Sequence, residues 1–119
     1  MKTVLIVDPD FGFAFWLGHT FDEAGCEALP ARSVPDAVQL LEELNVAVDL
    51  LLLNTALPDA ASFVSDLRLR QRPFKVIAIH DRPETSELFV EADATRFKTE
   101  AVDEVARQDW IQTVKAMLG

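Results

Sequence analysis

Three apolar runs and one short mixed stretch in this chain end at residues able to do chemistry. Val4 to Val7 is followed by Asp8, Pro9 and Asp10, Leu50 to Leu53 by Asn54, Val76 to Ile79 by His80 and Asp81, and the short stretch Ala94 to Phe97 by Lys98. Two carboxylates one proline apart can share acid–base work or hold a cation, an imidazole titrates near neutrality, and a lysine neutralises an anion. Asn54 is the odd member, because an amide does not ionise. Competing constellations are missing from the sequence. Cys26 is the single cysteine and stands outside any CxxC or Cys/His cluster, so it reads as a small buried hydrophobe. His19 has no neighbouring ligands and reads as a surface residue. Ser62 and Ser65 lack the G-x-S-x-G context of a hydrolase, and Gly12 and Gly18 fall in a helical pattern, not a phosphate loop.

To meet, these residues need strands that end side by side. Thr3 to Val7 reads as a buried strand, apolar and β-branched without alternation. Asp10 to Ala24 reads as a helix with Ala14, Leu17, Phe21 and Ala24 on one face, ended by Gly25. Cys26 to Leu29 is a weak strand closed by Pro30. Ser33 and Asp36 form a capping box, with Pro35 in the first turn of a helix that reaches Leu44 on Val38, Leu41 and Leu44. Asp49 to Leu53 is the most hydrophobic strand, and a loop from Asn54 to Ala60 leads into a helix from Ala61 to Gln71. Lys75 to Ile79 is a fourth strand, Pro83 to Val90 a short helix, and Ala94 to Phe97 a poor fifth strand. Val102 to Leu118 is a closing helix on Val105, Ile111, Val114 and Leu118.

Five strands alternating with five helices specify an α/β fold, a doubly wound parallel sheet with helices on both faces. The apolar third strand favours the flavodoxin-like order 2-1-3-4-5. Ligand sites in such sheets lie beyond the carboxyl ends of the strands, where the four polar stretches fall. Residues 1–119 read as one domain, and a longer protein could continue from the final helix past Gly119.

Charge narrows the partners. Twenty Asp and Glu against eleven Lys and Arg give a formal charge of −9, whereas a nucleic-acid binder needs a cationic stripe. The basic cluster Arg68, Arg70, Arg72 and Lys75 falls at a helix end, where cations complement the dipole. Neither nucleic acid nor an anionic membrane is expected as a partner. No apolar run approaches a bilayer span and no secretion signal is apparent, so the expected location is the cytoplasm.

In this order and spacing, the segments resemble a response-regulator receiver domain of a two-component phosphorelay over essentially the whole chain. Val4-Leu5-Ile6-Val7-Asp8 resembles that family's first strand and acidic turn. Asp49 to Leu53 with Asn54 and Leu57-Pro58-Asp59 resembles its central strand, phosphoacceptor position and following loop. Pro73 with Val76 to Ile79 resembles the fourth strand, and Glu91-Ala92-Asp93 with Lys98 the segment carrying the family's lysine. The resemblance implies a signalling role without enzymatic turnover.

The family's chemistry needs a carboxylate nucleophile, acidic residues around Mg²⁺, a hydroxyl and a lysine. Here the acceptor position is Asn54, the position after Asp8 is Pro9, and the hydroxyl position is His80. Thr95 stands where the family has its switch aromatic, and Thr99 where a proline usually follows the lysine. Only Asp8 and Lys98 keep their functional type. The expectation is therefore a degenerate pseudo-receiver: Asp8, Asp10, Asn54, His80 and Lys98 around an altered pocket, no cofactor, and at best weak Mg²⁺ binding at Asp8. Asn54 reads as simple loss of the charge ahead of mimicry of either signalling state. His80 reads as a filler ahead of a pH switch beside Asp8.

Function would then rest on contact with another signalling protein or with a second copy. Phe11, Phe13, Phe15, Trp16 and Phe21 give the first helix more aromatic area than one core-facing stripe can use. Phe11, Phe15 and Trp16 are the candidate partner surface, alternatively packed under a loop, and Trp110 is a second candidate. Thr95 and Arg96 mark the surface that the family commonly uses. Two other readings stay open: phosphoacceptance at a neighbouring Asp10, Asp49 or Asp59, and a small-ligand or pH-sensing domain using the vacant pocket.

Overall fold

The computed structural model describes residues 1–71, 73–81, 92–98 and 102–119. Five parallel strands, β1 (Thr3–Val7), β2 (Glu27–Ala31), β3 (Leu50–Asn54), β4 (Lys75–His80) and β5 (Ala94–Phe97), form one sheet in the order β2-β1-β3-β4-β5. Four helices lie among the described residues: α1 (Phe11–Glu23), α2 (Val34–Leu44), α3 (Ala60–Arg70) and α4 (Glu104–Leu118). The helix expected over Pro83 to Val90 falls outside the described residues.

Side chains alternate across the sheet, and each face takes its own pair of helices. Val4, Ile6, Leu50, Leu52, Ile77 and Ile79 pack with Phe13, Leu17, Phe21, Trp110 and Val114 of α1 and α4. Leu5, Val7, Leu51, Leu53 and Val76 pack with Ala37, Phe63, Val64 and Leu67 of α2 and α3. Leu50 to Leu53 are wholly buried, each worth about 2 kcal/mol of transfer free energy. This two-sided burial is why the strand reads as an unbroken leucine run.

Local signals set the element ends. Asp10 caps α1 by accepting from the Phe13 N–H, Ser33 caps α2 through the Asp36 N–H, and Asp103 caps α4 through the Ala106 N–H. Gly25, at φ 91°, supplies the left-handed turn after α1. Gln71 clamps the approach to β3, donating to the Val48 carbonyl at 2.8 Å and accepting from its N–H at 3.1 Å.

Several expectations change. Pro30 lies inside β2, opposite Ile6, and does not close it; β2 is an edge of the sheet, where a missing N–H is tolerated. α4 begins at Glu104 after its Asp103 cap, which turns Val105 outward at 80% exposure. Trp110 points inward, 2% exposed and edge-on to Phe13, so it is core and not a partner surface. Leu44 is exposed at the end of α2. Cys26 is only half-buried, enough for burial to push its thiol pKa up against the opposing pull of Lys115. Ala24, too, is only half-buried.

Candidate functional site

The chain crosses from β2, on one side of β1, to β3 on the other, so the order reverses between β1 and β3. The crevice at that reversal is where doubly wound sheets place their ligands. Asp8 follows β1 and Asn54 ends β3 there, both wholly buried. The Asp8 N–H extends the ladder to the Ala31 carbonyl, and the Lys98 N–H donates to the His80 carbonyl at 2.8 Å. Strand pairing therefore fixes the backbone of each participant before any side chain is considered.

The Asp8 carboxylate is fully engaged. Its Oδ1 accepts from the Asp10 N–H at 2.8 Å and from Lys98 Nζ at 2.8 Å, and its Oδ2 accepts from Asn54 Nδ2 at 3.0 Å. Asn54 uses its amide completely on the donor side: the second N–H of Nδ2 reaches Asp81 Oδ1 at 3.1 Å, while Oδ1 accepts from the Ala56 N–H at 2.9 Å. The opposite amide orientation would set an oxygen against two carboxylates and a nitrogen against an N–H, so the partners dictate which atom is which.

Lys98 is the cation of this cluster. Besides Asp8 it stands 3.6 Å from Asp10 Oδ2 and 3.8 Å from Asp81 Oδ1, and its ammonium lies over the Phe13 ring at 4.9 Å. Three carboxylates thus converge on one ammonium and one amide. A buried carboxylate without such partners would carry several kcal/mol of desolvation cost. Beside the cluster an open cleft is bounded by Asp10, Phe13, Trp16, Asp81 and Lys98.

His80 lies at the carboxyl end of β4, wholly buried, sharing a 2.8 Å hydrogen bond between its Nδ1 and Thr55 Oγ1 and packing against Phe97 with ring centroids 6.1 Å apart. Burial lowers its pKa, only partly opposed by Asp81. His80 is thus buried in the fold, and burial lowers its pKa where contact with Asp8 would raise it.

The sequence thus places Asp8, Asp10, Asn54 and Lys98 together, with His80 bonded into the same strand ends. Asp81, noted at the end of the fourth apolar run, was not counted in the pocket, and the structure adds it. Among the alternative acids, Asp49 is remote: it precedes β3 at the amino end, where Oδ2 accepts from the Thr3 N–H at 2.8 Å. Asp59 is exposed in a left-handed conformation before α3. His19 is on the surface beside Glu23. Among the described residues, no group of three or more His, Cys, Asp or Glu side chains is arranged to hold a metal ion.

The aromatic residues of α1 divide. Phe13 joins the core, Trp16 packs partly against it, and Phe11 and Phe15 stand 43% and 62% exposed with ring centroids 6.1 Å apart. Arg32 covers one side of Phe11 at 5.5 Å. Thr95 and Arg96 on β5 are exposed, Arg96 donating to Thr113 of α4 at 2.7 Å. Phe97, 51% exposed next to them, was not anticipated.

No family model matches the chain, and no curated protein matches it. Solved structures do. A CheY-like response regulator receiver domain protein from Methanospirillum hungatei is similar at TM-score 0.78 and 22% identity, covering 99% of this chain and 94% of that one. Chemotaxis response regulator CheY4 of Vibrio cholerae is similar at TM-score 0.77 and 17% identity, covering 99% of each chain. Response regulator TrrA from Thermotoga maritima, in complex with Mg²⁺-BeF, is similar at TM-score 0.74 and 21% identity, covering 99% of this chain and 100% of that one. The fold is that of the receiver domains of two-component response regulators. No helix among the described residues is long and apolar enough to cross a membrane.

Proposed function

We propose that this chain is a signalling module of receiver fold that works without phosphorylation and without enzymatic turnover, by contact with another protein or with a second copy. The observation that carries the proposal is the Asn54 amide. It occupies the carboxyl end of β3, and both its N–H groups are spent on Asp8 and Asp81. A nucleophile must present an electron pair to phosphorus. Here the atom facing the crevice is a donor, and the amide oxygen is held by the Ala56 N–H.

Mg²⁺ does not fit this arrangement. The ion demands about six oxygen ligands in octahedral geometry. The Asp8 oxygens already serve three donors, and the Lys98 ammonium stands at 2.8 Å where a cation would approach. The Asn54 Nδ2, donating to Asp8 and Asp81, is not an oxygen ligand for a metal. Asp8, Asp10, Asn54, Asp81 and Lys98 therefore form a closed polar lock that holds the ends of β1, β3 and β5 together, and His80 plugs the end of β4.

With the Asp8 and Asn54 polar atoms engaged by one another and by Lys98, the remaining feature for signalling is surface. Phe11 and Phe15 expose a paired aromatic edge on α1, of the kind enriched at protein contacts and not required by the core. The account predicts that Phe11→Ser with Phe15→Ser weakens association by at least about tenfold, whether the partner is a second copy or a captured signalling protein. Treatment with acetyl phosphate and Mg²⁺ should leave association of the parent chain unchanged. Sedimentation velocity across concentration, with and without the phosphoryl donor, reads both effects. A complex that forms only after donor treatment would overturn the proposal.

A further inference from the structure

On the opposite face of the sheet from α1, the groove between α2 and α3 has the chemistry of a second docking site. It encloses about 710 Å³. Its floor is Val34, Val38, Leu41, Phe63 and Leu67, with Val38 and Leu41 only partly covered by the fold. Its walls carry Glu42 on α2, Asp59 just ahead of α3, and Asp66 on α3 against a single cation, Arg70, so the rim is net acidic. None of these three carboxylates has an ion-pair partner among the described residues, although Asp66 and Arg70 have the i, i+4 spacing that permits one.

An apolar trough with unpaired carboxylates along both walls is complementary to one kind of occupant. We infer that it docks an amphipathic helix of a partner protein, apolar along one stripe and flanked by Lys or Arg. α2 has 11 residues, so the trough runs about 16 Å at 1.5 Å per residue. That length matches about three turns of a docked helix, which would set anchors at i, i+3 or i+4, and i+7 on the floor. The chain's charge of −9 steers a basic partner toward the molecule, and the acidic rim on both sides of the trough fixes where it settles. This inference is independent of the phosphorylation question and of the α1 surface.

The test uses the whole chain, ¹⁵N-labelled, titrated with a synthetic helix of about 14 residues bearing Leu anchors at that spacing and Lys beside them. The expected result is amide shifts concentrated in residues 34–47 and 59–71. Affinity should fall by about tenfold or more in Glu42→Lys with Asp66→Lys, and for a peptide with Glu in place of Lys. Both substituted positions are exposed on helices, so the fold is retained, which the amide spectrum of the variant checks directly. Shifts centred on α1 or on the ends of β1 and β3, or an unchanged affinity in the double variant, would overturn the inference.

Discussion

The interior of β3 and its last residue obey different rules. Leu50 to Leu53 and Asn54 are all wholly buried in one continuous strand. The leucines are held by non-directional burial on two faces, so shape and volume decide what is tolerated. Asn54 is held by three hydrogen bonds of fixed direction, and one of its neighbours is a buried carboxylate whose other oxygen serves a lysine. A conservative change should therefore be mild at one position and disruptive two residues later. The comparison shows that one strand can be held by volume along its interior and by directed hydrogen bonds at its carboxyl end.

The largest expected effect breaks the polar end outright. Asp8→Ala removes the acceptor for Lys98, for Asn54 and for the Asp10 N–H at once, and should cost about 3–5 kcal/mol in urea unfolding. A loss no greater than that of an exposed substitution would mean the cluster is not a lock.

The comparison is sharpened by two near-isosteric substitutions. Leu52→Met keeps volume and should cost less than about 1.5 kcal/mol. Asn54→Asp replaces both donors with oxygen and sets a fourth carboxylate about 3 Å from Asp8 and Asp81, a separation at which two carboxylates resist being ionised together. It should cost about 1–3 kcal/mol, with part of the loss recovered when Mg²⁺ is added, since a divalent cation offsets the repulsion. On the proposed reading robust phosphorylation should still be absent, because His80 and Pro9 supply neither a hydroxyl nor a carboxylate beside position 54. Thermal melts of both variants with and without Mg²⁺ check the ranking. Equal costs would remove the distinction between the two regions.

A smaller effect separates them by pH. Burial lowers the His80 pKa in the folded chain below its ordinary value of about 6.5. The unfolded chain then binds the extra proton first, so this residue's contribution to stability is intact above about pH 6.5 and declines as pH falls toward the folded pKa. An NMR titration of the His80 imidazole should give a midpoint below about 6.5, and a midpoint above that value would contradict the buried assignment.

Much of this was legible in the sequence, for different reasons in the two regions. Strands β1, β3 and β4 announce themselves by composition, and sheet order follows from the apolar third strand. The polar ends Asp8, Asn54 and His80 were legible because each stops an apolar run, and Lys98 because it follows the short stretch Ala94 to Phe97 in the family-like spacing. Asp81 was not identified as a member, because whether its carboxylate turns toward Asn54 depends on the backbone after β4, which periodicity does not encode. The outward Val105 and the inward Trp110 escaped for a related reason: helix phase along α4 is set by packing against Phe13 and the sheet. Pro30 looked like a terminator, and only its place on an edge strand explains its presence within β2.

The most direct test of the proposal that this site works without phosphorylation is the intact mass of the chain after incubation with acetyl phosphate and Mg²⁺. The account predicts an unmodified mass. A gain of one phosphoryl group, stable to acid but removed by base or hydroxylamine, would contradict it and point to an acyl phosphate on a carboxylate other than position 54.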